Sequence, residues 1–260
     1  MNWIEALLLG LLQGLTEFLP VSSSGHLELG HAALGIQTEE TLTFAITVHA
    51  ATVLSIIVVF FKDIRELLSG ALKLEWNEST SYSAKILVSM IPVGIVGVFF
   101  MSEVESVYDG NIVLVGSMLL VTASLLLLTY LAKSRNKDVT FRDAFLIGIA
   151  QAFAVLPGIS RSGATIATGL LLGVKKELVT RFSFLMVLIP IIGATFFDII
   201  RSNEPDAVTV GFIPLLVGFI AAFLSGLFAC RVMLEVVKRG KLIYFAIYCI
   251  FVGSIAIFLG

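Results

Sequence analysis

The stretch LPGISRSGAT, Leu156 to Thr165, interrupts apolar sequence that would otherwise lie comfortably in lipid. Its proline and two glycines break a helix. Its arginine costs roughly 2.5–3.5 kcal/mol at the centre of a bilayer-inserted helix. Arg161 therefore needs a partner, and where that partner comes from decides how the chain is folded.

The chain around it is that of a membrane protein. Of 260 residues 58% are hydrophobic and only 14% charged, where soluble domains run near half and a quarter. Six segments are long enough to cross a bilayer: Thr43–Phe61, Ser83–Met101, Ile112–Leu131, Arg181–Ile200, Phe212–Met233 and Leu242–Leu259. The net charge of −2 offers no nucleic-acid footprint, so the expected surroundings are lipid and no nucleic acid. Cys230 and Cys249 sit in apolar segments without metal-ligand spacing and read as packing residues. The first residues lack a basic segment and a small-residue cleavage site, so no removable signal peptide is expected.

Two apolar stretches do not cross cleanly. Trp3–Leu19 breaks at Pro20 and resumes from Gly25 to Leu34; Phe141–Leu156 breaks at Pro157 and resumes from Gly163 to Leu172. Irregular backbone at membrane depth survives only where protein or water satisfies it, so each reads as a re-entrant helical hairpin. Lysines and arginines cluster in four connections: Lys62 to Lys85, Lys133 to Arg142, Lys175 to Arg181 and Lys238 to Lys241. The connections Ser102–Asn111 and Ser202–Thr209 carry Glu103, Glu105, Asp109, Glu204 and Asp206 with no basic residue. The positive-inside rule puts the basic connections in the cytoplasm. The first hairpin then starts and ends outside, the second inside, and three crossings follow each.

A shift of 138 residues aligns the hairpins. Ala6, Leu8, Gly10 and Gln13 fall on Ala144, Leu146, Gly148 and Gln151; Ser22, Ser24 and Gly25 fall on Ser160, Ser162 and Gly163; Leu34 and Gly35 fall on Leu172 and Gly173. The expected fold is an all-α polytopic membrane protein, one integral domain over residues 1–260. It has six transmembrane helices plus two re-entrant hairpins in an inverted-topology repeat, with halves of about 1–135 and 139–260. Such repeats place their polar site near the midplane where the halves meet, which sets Arg161 opposite the first break.

That break reads QGLTEFLPVSSSGHL, Gln13 to Leu27. Gln13 and Glu17 are four apart and share a helix face. Glu17 is a partner for Arg161, and an anionic ligand is another. The helices resuming at Gly25 and Gly163 point N-termini at the break, which favours an anion such as phosphate. A guanidinium fork, two helix N-termini and the hydroxyls of Ser22, Ser23, Ser24, Ser160, Ser162 and Thr165 together describe a phosphate cradle. The same residues have plainer readings. Glu17 and Arg161 also fit a structural ion pair that locks the hairpins, Ser22 and Ser24 fit helix caps, and His26 and His49 fit interior packing.

GLTEFLPVSSSGHL and LPGISRSGAT closely resemble the two signature motifs of the bacterial undecaprenyl-diphosphate phosphatase (bacitracin resistance) family, and the resemblance runs over the whole chain. It implies hydrolysis of undecaprenyl diphosphate to undecaprenyl phosphate and phosphate, which recycles the lipid carrier for peptidoglycan synthesis at the bacterial inner (cytoplasmic) membrane. It implies a divalent cation, magnesium or calcium, held largely by substrate with Glu17 as the protein's tentative ligand. Ser23 matches the family's catalytic serine, and the motif gives His26 a catalytic or positioning role. Many members carry Glu where this chain has Gln13, which leaves Glu17 as the acidic residue of the first motif.

The expected mechanism holds the prenyl tail between helices, with the diphosphate on Arg161 and on Ser160, Ser162 and Thr165. Ser23 acts as nucleophile or positioning hydroxyl, and Glu17 or His26 takes its proton. The acidic and nucleophilic residues all lie on the outside hairpin, so the site is expected to open outward. A lipid-phosphate flippase is the rival from another class, because inverted repeats with broken helices are transporter architecture.

Overall fold

The computed structural model describes residues 1–36, 41–73, 75–108, 111–132, 136–201 and 210–260. Among these the regular secondary structure is helical, save one isolated β-bridge between Lys137 and Val174. The first hairpin is α1 (Trp3–Phe18) and α2 (Ser23–Leu34). Then come α3 (Thr41–Val59), α4 (Phe61–Ala71), α5 (Glu78–Phe99), α6 (Met101–Tyr108) and α7 (Ile112–Leu128), the last closed by a 3₁₀ turn. The second hairpin is α8 (Phe141–Phe153) and α9 (Arg161–Leu171), followed by α10 (Lys176–Arg201), α11 (Phe212–Lys238) and α12 (Ile243–Leu259).

Three described helices are each long and apolar enough to cross a membrane: α5, α7 with its 3₁₀ turn, and α11. The expected crossing Thr43–Phe61 is different in detail. At its end the chain bends by 77°, where α3 meets α4. Phe60, buried at the bend, anchors the corner. Ile64 and Leu67 turn the apolar side of α4 to the core, while Lys62, Arg65 and Glu66 take the other side. A charged connection on the sequence is thus an amphipathic helix in the fold. The apolar α12 has 17 residues, and Arg181–Ile200 falls inside α10. Asp109, Glu204 and Asp206 of the acidic connections, and Lys133 and Arg135 of the second basic cluster, lie outside the described residues.

The first hairpin breaks where expected, while α8 ends at Phe153, three residues before the expected Leu156; the two share their capping. Asn2 opens α1 in a capping box with Glu5, and Thr140 opens α8 in one with Asp143. After each break a serine caps the next helix: Ser22 Oγ accepts from Gly25 N at 3.3 Å and Ser160 Oγ from Gly163 N at 3.0 Å. The caps start α2 and α9 at Ser23 and Arg161, two residues before the glycines at which the sequence suggests a restart. Gly35 and Gly173, both at positive φ, end the hairpins in a backbone conformation that L side chains resist.

Helices distant in the chain pack in a crossed pattern. α1 lies along α11, and α8 lies along α5. At the first contact a Cβ on Gly10 would strike the Gly218 carbonyl, and at the second a Cβ on Gly148 would strike that of Ser89. Where α7 meets α12, Gly116 faces the carbonyl of Gly253 and Gly253 that of Gly116. In lipid no hydrophobic force separates helix from solvent, so such small-residue contacts carry the association. In the core, Phe18 of α1 meets Phe184 of α10 edge-on at 5.9 Å.

The basic clusters gather at one end. Arg181 pairs with Asp63 of α4, Lys175 N donates to Lys137 O at 3.1 Å, and Gly240 lies against the Lys176 ammonium.

Candidate functional site

The site forms where the two breaks meet. Glu17, in the last turn of α1, is almost fully buried and uses both carboxylate oxygens. Oε1 accepts from the Arg161 guanidinium at 3.0 Å. Oε2 accepts from Ser23 Oγ at 2.5 Å and from Gln13 Nε2 at 2.9 Å. Ser23 and Arg161 occupy the same place in their hairpins, the first residue of the helix after the break. Glu17 sits between them, so the partner that Arg161 requires comes from 144 residues away.

Hydrogen bonds stitch the breaks together. Gly158 N donates to Ser22 Oγ at 3.1 Å. Thr122 of α7 donates its hydroxyl to Gly158 O at 2.8 Å and accepts from Ser160 N at 3.0 Å. Ser160 and Ser162 hydroxyls lie 3.2 Å apart, and Ser162 reaches Leu19 O at 3.4 Å. Ser22 holds φ 70, a strained value for a non-glycine residue, and its neighbours over-determine it. Thr122 carried no sequence signal beyond being a hydroxyl in an apolar helix.

The two acceptors considered for the Ser23 proton separate. Ser23 bonds to Glu17. His26 sits elsewhere: Nδ1 lies 2.8 Å from Ser22 O, and Nε2 lies 2.8 Å from Tyr248 Oη. A carbonyl only accepts, so Nδ1 carries the proton and Nε2 accepts from the tyrosine. The rings also stack, 12° apart in plane with centroids at 5.5 Å. Tyr248, on α12 in the far half of the chain, was invisible to motif reading because no pattern links it to residue 26.

The cradle hydroxyls differ in what they have to offer. Thr165 donates into its own helix, to Arg161 O at 2.8 Å. Ser22 and Ser160 are spent as caps. Ser24 is exposed, with only a long contact to Ser22. Arg161 is partly exposed and bonds Glu17 through one nitrogen, which leaves other guanidinium protons for a ligand. His49 of α3 lies within electrostatic reach of Glu17, with its Nδ1–H donated to Ala45 O at 2.8 Å.

Among the described residues no group of three or more His, Cys, Asp or Glu side chains stands ready for a metal ion. Beside Glu17, however, Gln13 Oε1 is fully buried and has no hydrogen-bond partner. It fits a cation held mainly by substrate oxygens, which is how magnesium usually meets phosphates.

A protein-family model described as "Bacitracin resistance protein BacA" matches residues 6–255. Among curated relatives, a Bacteroides fragilis protein is 56% identical over 261 residues, which cover 99% of this chain and 98% of the relative. A Bacteroides thetaiotaomicron protein is 54% identical, with 97% of each covered. One from Salinibacter ruber is 41% identical over the full length of both. All three are named undecaprenyl-diphosphatase.

Proposed function

The chain belongs to the bacitracin resistance protein BacA family, and from that membership we propose that it is an undecaprenyl-diphosphate phosphatase. It hydrolyses undecaprenyl diphosphate to undecaprenyl phosphate and phosphate, recycles the lipid carrier for peptidoglycan synthesis and confers bacitracin resistance. The observation that carries the mechanism is the Ser23 hydroxyl donated to Glu17, whose other oxygen is held by Arg161.

In that mechanism Ser23 Oγ is the nucleophile. Glu17 takes its proton as Oγ attacks the terminal phosphorus, and the bond from that phosphorus to the bridging oxygen breaks. Undecaprenyl phosphate leaves and takes that proton from Glu17, which is a carboxylate again. Water then attacks the phosphoserine and releases phosphate, with Glu17 in place to move the second proton. Arg161 performs two tasks: it orients Glu17 and turns its remaining N–H groups to the phosphoryl oxygens, where charge spreads in a loose transition state. Backbone amides at the starts of α2 and α9, with Ser24 and Ser162, complete the cradle. His26 positions Ser23, because its Nδ1–H and its backbone N–H both hold Ser22 O in the first turn of α2. Tyr248 positions His26 in turn. A magnesium or calcium ion, when bound, supplies charge neutralisation at the phosphates, with Glu17 and Gln13 Oε1 as the protein's oxygens.

The membrane reading follows the same lines. Six crossings and two re-entrant hairpins form an inverted repeat with halves of about 1–135 and 139–260. The matched contacts of α1 with α11 and α8 with α5, and the reciprocal glycines of α7 and α12, support it. The basic end is cytoplasmic in the inner membrane, which the gathering of the clusters supports. The site opens outward. Purified protein in detergent should release phosphate from undecaprenyl diphosphate; lipid movement without phosphate release would leave a flippase. For the side of access, Cys230 and Cys249 are replaced and Ser24→Cys is introduced. An impermeant thiol reagent should label intact spheroplasts. Labelling only in inside-out vesicles refutes outward access.

A further inference from the structure

The second hairpin carries a feature that the phosphate chemistry does not use. Between α7, α8 and α9 lies an apolar cavity of about 520 Å³, within the usual size range of small-molecule sites. Leu125 contributes from α7, and Ile149 and Phe153 from α8. From α9 come Ala164, Thr168 and Leu172, with Ile159 from the break beside it. Ala164, Thr168 and Leu172 continue the helix face that starts at Arg161, at steps of three, four and four residues. At 1.5 Å per residue that stripe is about 16 Å long. Arg161, the first residue of α9, stands at the N-terminal end of that stripe, and the groove residues that follow it are apolar apart from the Thr168 hydroxyl.

The first hairpin is filled differently at the matching place. Its counterpart of Ala164 is His26, and the stacked ring of Tyr248 from α12 fills that face. The two hairpins share a frame, and on α9 the residues that follow Arg161 along its face line an apolar groove. We infer that this groove holds the phosphate-proximal isoprene units of the polyprenyl diphosphate, with the diphosphate at Arg161 and the chain along α9 toward Leu172. The inference rests on the phosphatase reading and assigns its lipid subsite. Bulk acyl chains, the other occupant available in a bilayer, have no reason to stop at a guanidinium.

The test compares chain lengths on the whole protein in detergent. Thr168→Phe fills the groove from a half-buried position, seven residues beyond Arg161. It should raise KM for undecaprenyl diphosphate about tenfold, equivalent to about 1.4 kcal/mol, and leave kcat unchanged at saturation. With isopentenyl diphosphate, too short to reach residue 168, kcat/KM should stay within about twofold of wild type. An unchanged KM for the long substrate overturns the proposal, and so does an equal loss with both substrates. A second measurement needs no variant. A polyprenyl diphosphate with a photoreactive diazirine near its head should crosslink to the segment 146–172. Crosslinks confined to α2 or α12 also overturn the groove. Wild-type protein that releases no phosphate from either substrate sinks the phosphatase reading instead, while the crosslink still reports where the chain lies.

Discussion

The two hairpins differ less in shape than in what hangs on the shape. Each opens with a capping box, buries a glutamine, breaks around a proline and restarts at a serine that caps a glycine N–H. Residue by residue, Ser23 of the first corresponds to Arg161 of the second, Glu17 to Val155 and His26 to Ala164. Gln13 and Gln151 both leave Oε1 unpartnered, but Gln13 Nε2 bonds Glu17 while Gln151 has only Met90 Sδ at 3.9 Å. Two helix N-termini facing each other are alike electrostatically. In the proposed mechanism, three side chains on one frame separate a proton-moving hairpin from an anion-holding one.

That division predicts different losses on the two sides. Ser23→Ala should cost the most: with no hydroxyl to attack, turnover should fall by about three orders of magnitude or more. Glu17→Gln should cost about 10²–10⁴-fold, the range of a lost general base. Both are read as kcat for phosphate release, with folding followed by size-exclusion chromatography. Near-normal turnover in Ser23→Ala would remove the serine as nucleophile and leave water attacking directly.

The second hairpin should fail differently. Arg161→Lys keeps the charge but loses the planar fork, and about a 10²-fold loss in kcat/KM is expected, with expression unchanged. A variant that is unstable yet normal per folded molecule would make Glu17–Arg161 a structural lock. Smaller again is Tyr248→Phe, which keeps the stack and removes one hydrogen bond, for about a two- to tenfold drop in kcat. In a His26→Ala background the same change should do nothing further, since the tyrosine acts through that ring; an additive loss would deny it the positioning role.

The smallest effect on chemistry tests the shared frame itself. Gly10→Ala and Gly148→Ala each push a methyl into a facing carbonyl. Each should cost about 1–3 kcal/mol of stability and lower the thermal midpoint in detergent by similar amounts, with turnover per folded molecule near normal. If one position tolerates the methyl and the other does not, the halves are packed by different rules.

Much of this was legible in the chain. Capping is local, so Ser22 and Ser160 announce helix starts within a few residues, although the caps take effect two residues earlier than the glycines suggest. The penalty on a cation in lipid demands a partner for Arg161, and Glu17 was the acid at matching depth. The 138-residue shift is read at the caps and glycines, positions where a crowded interface leaves little room for a side chain. Other features depended on directions in space. Whether Ser23 turns to Glu17 or to His26 is set by how α1 ends and α2 begins, and spacing alone does not encode that angle. Thr165 gives its hydroxyl proton to its own helix because a nearby carbonyl competes with any ligand. Tyr248 and Thr122 enter the site from helices whose sequence neighbours look like lipid-facing filler. A sequence records which groups are too polar to stand alone in a membrane. The fold chooses their partners, because a hydrogen bond needs both a distance and an angle, and packing supplies both.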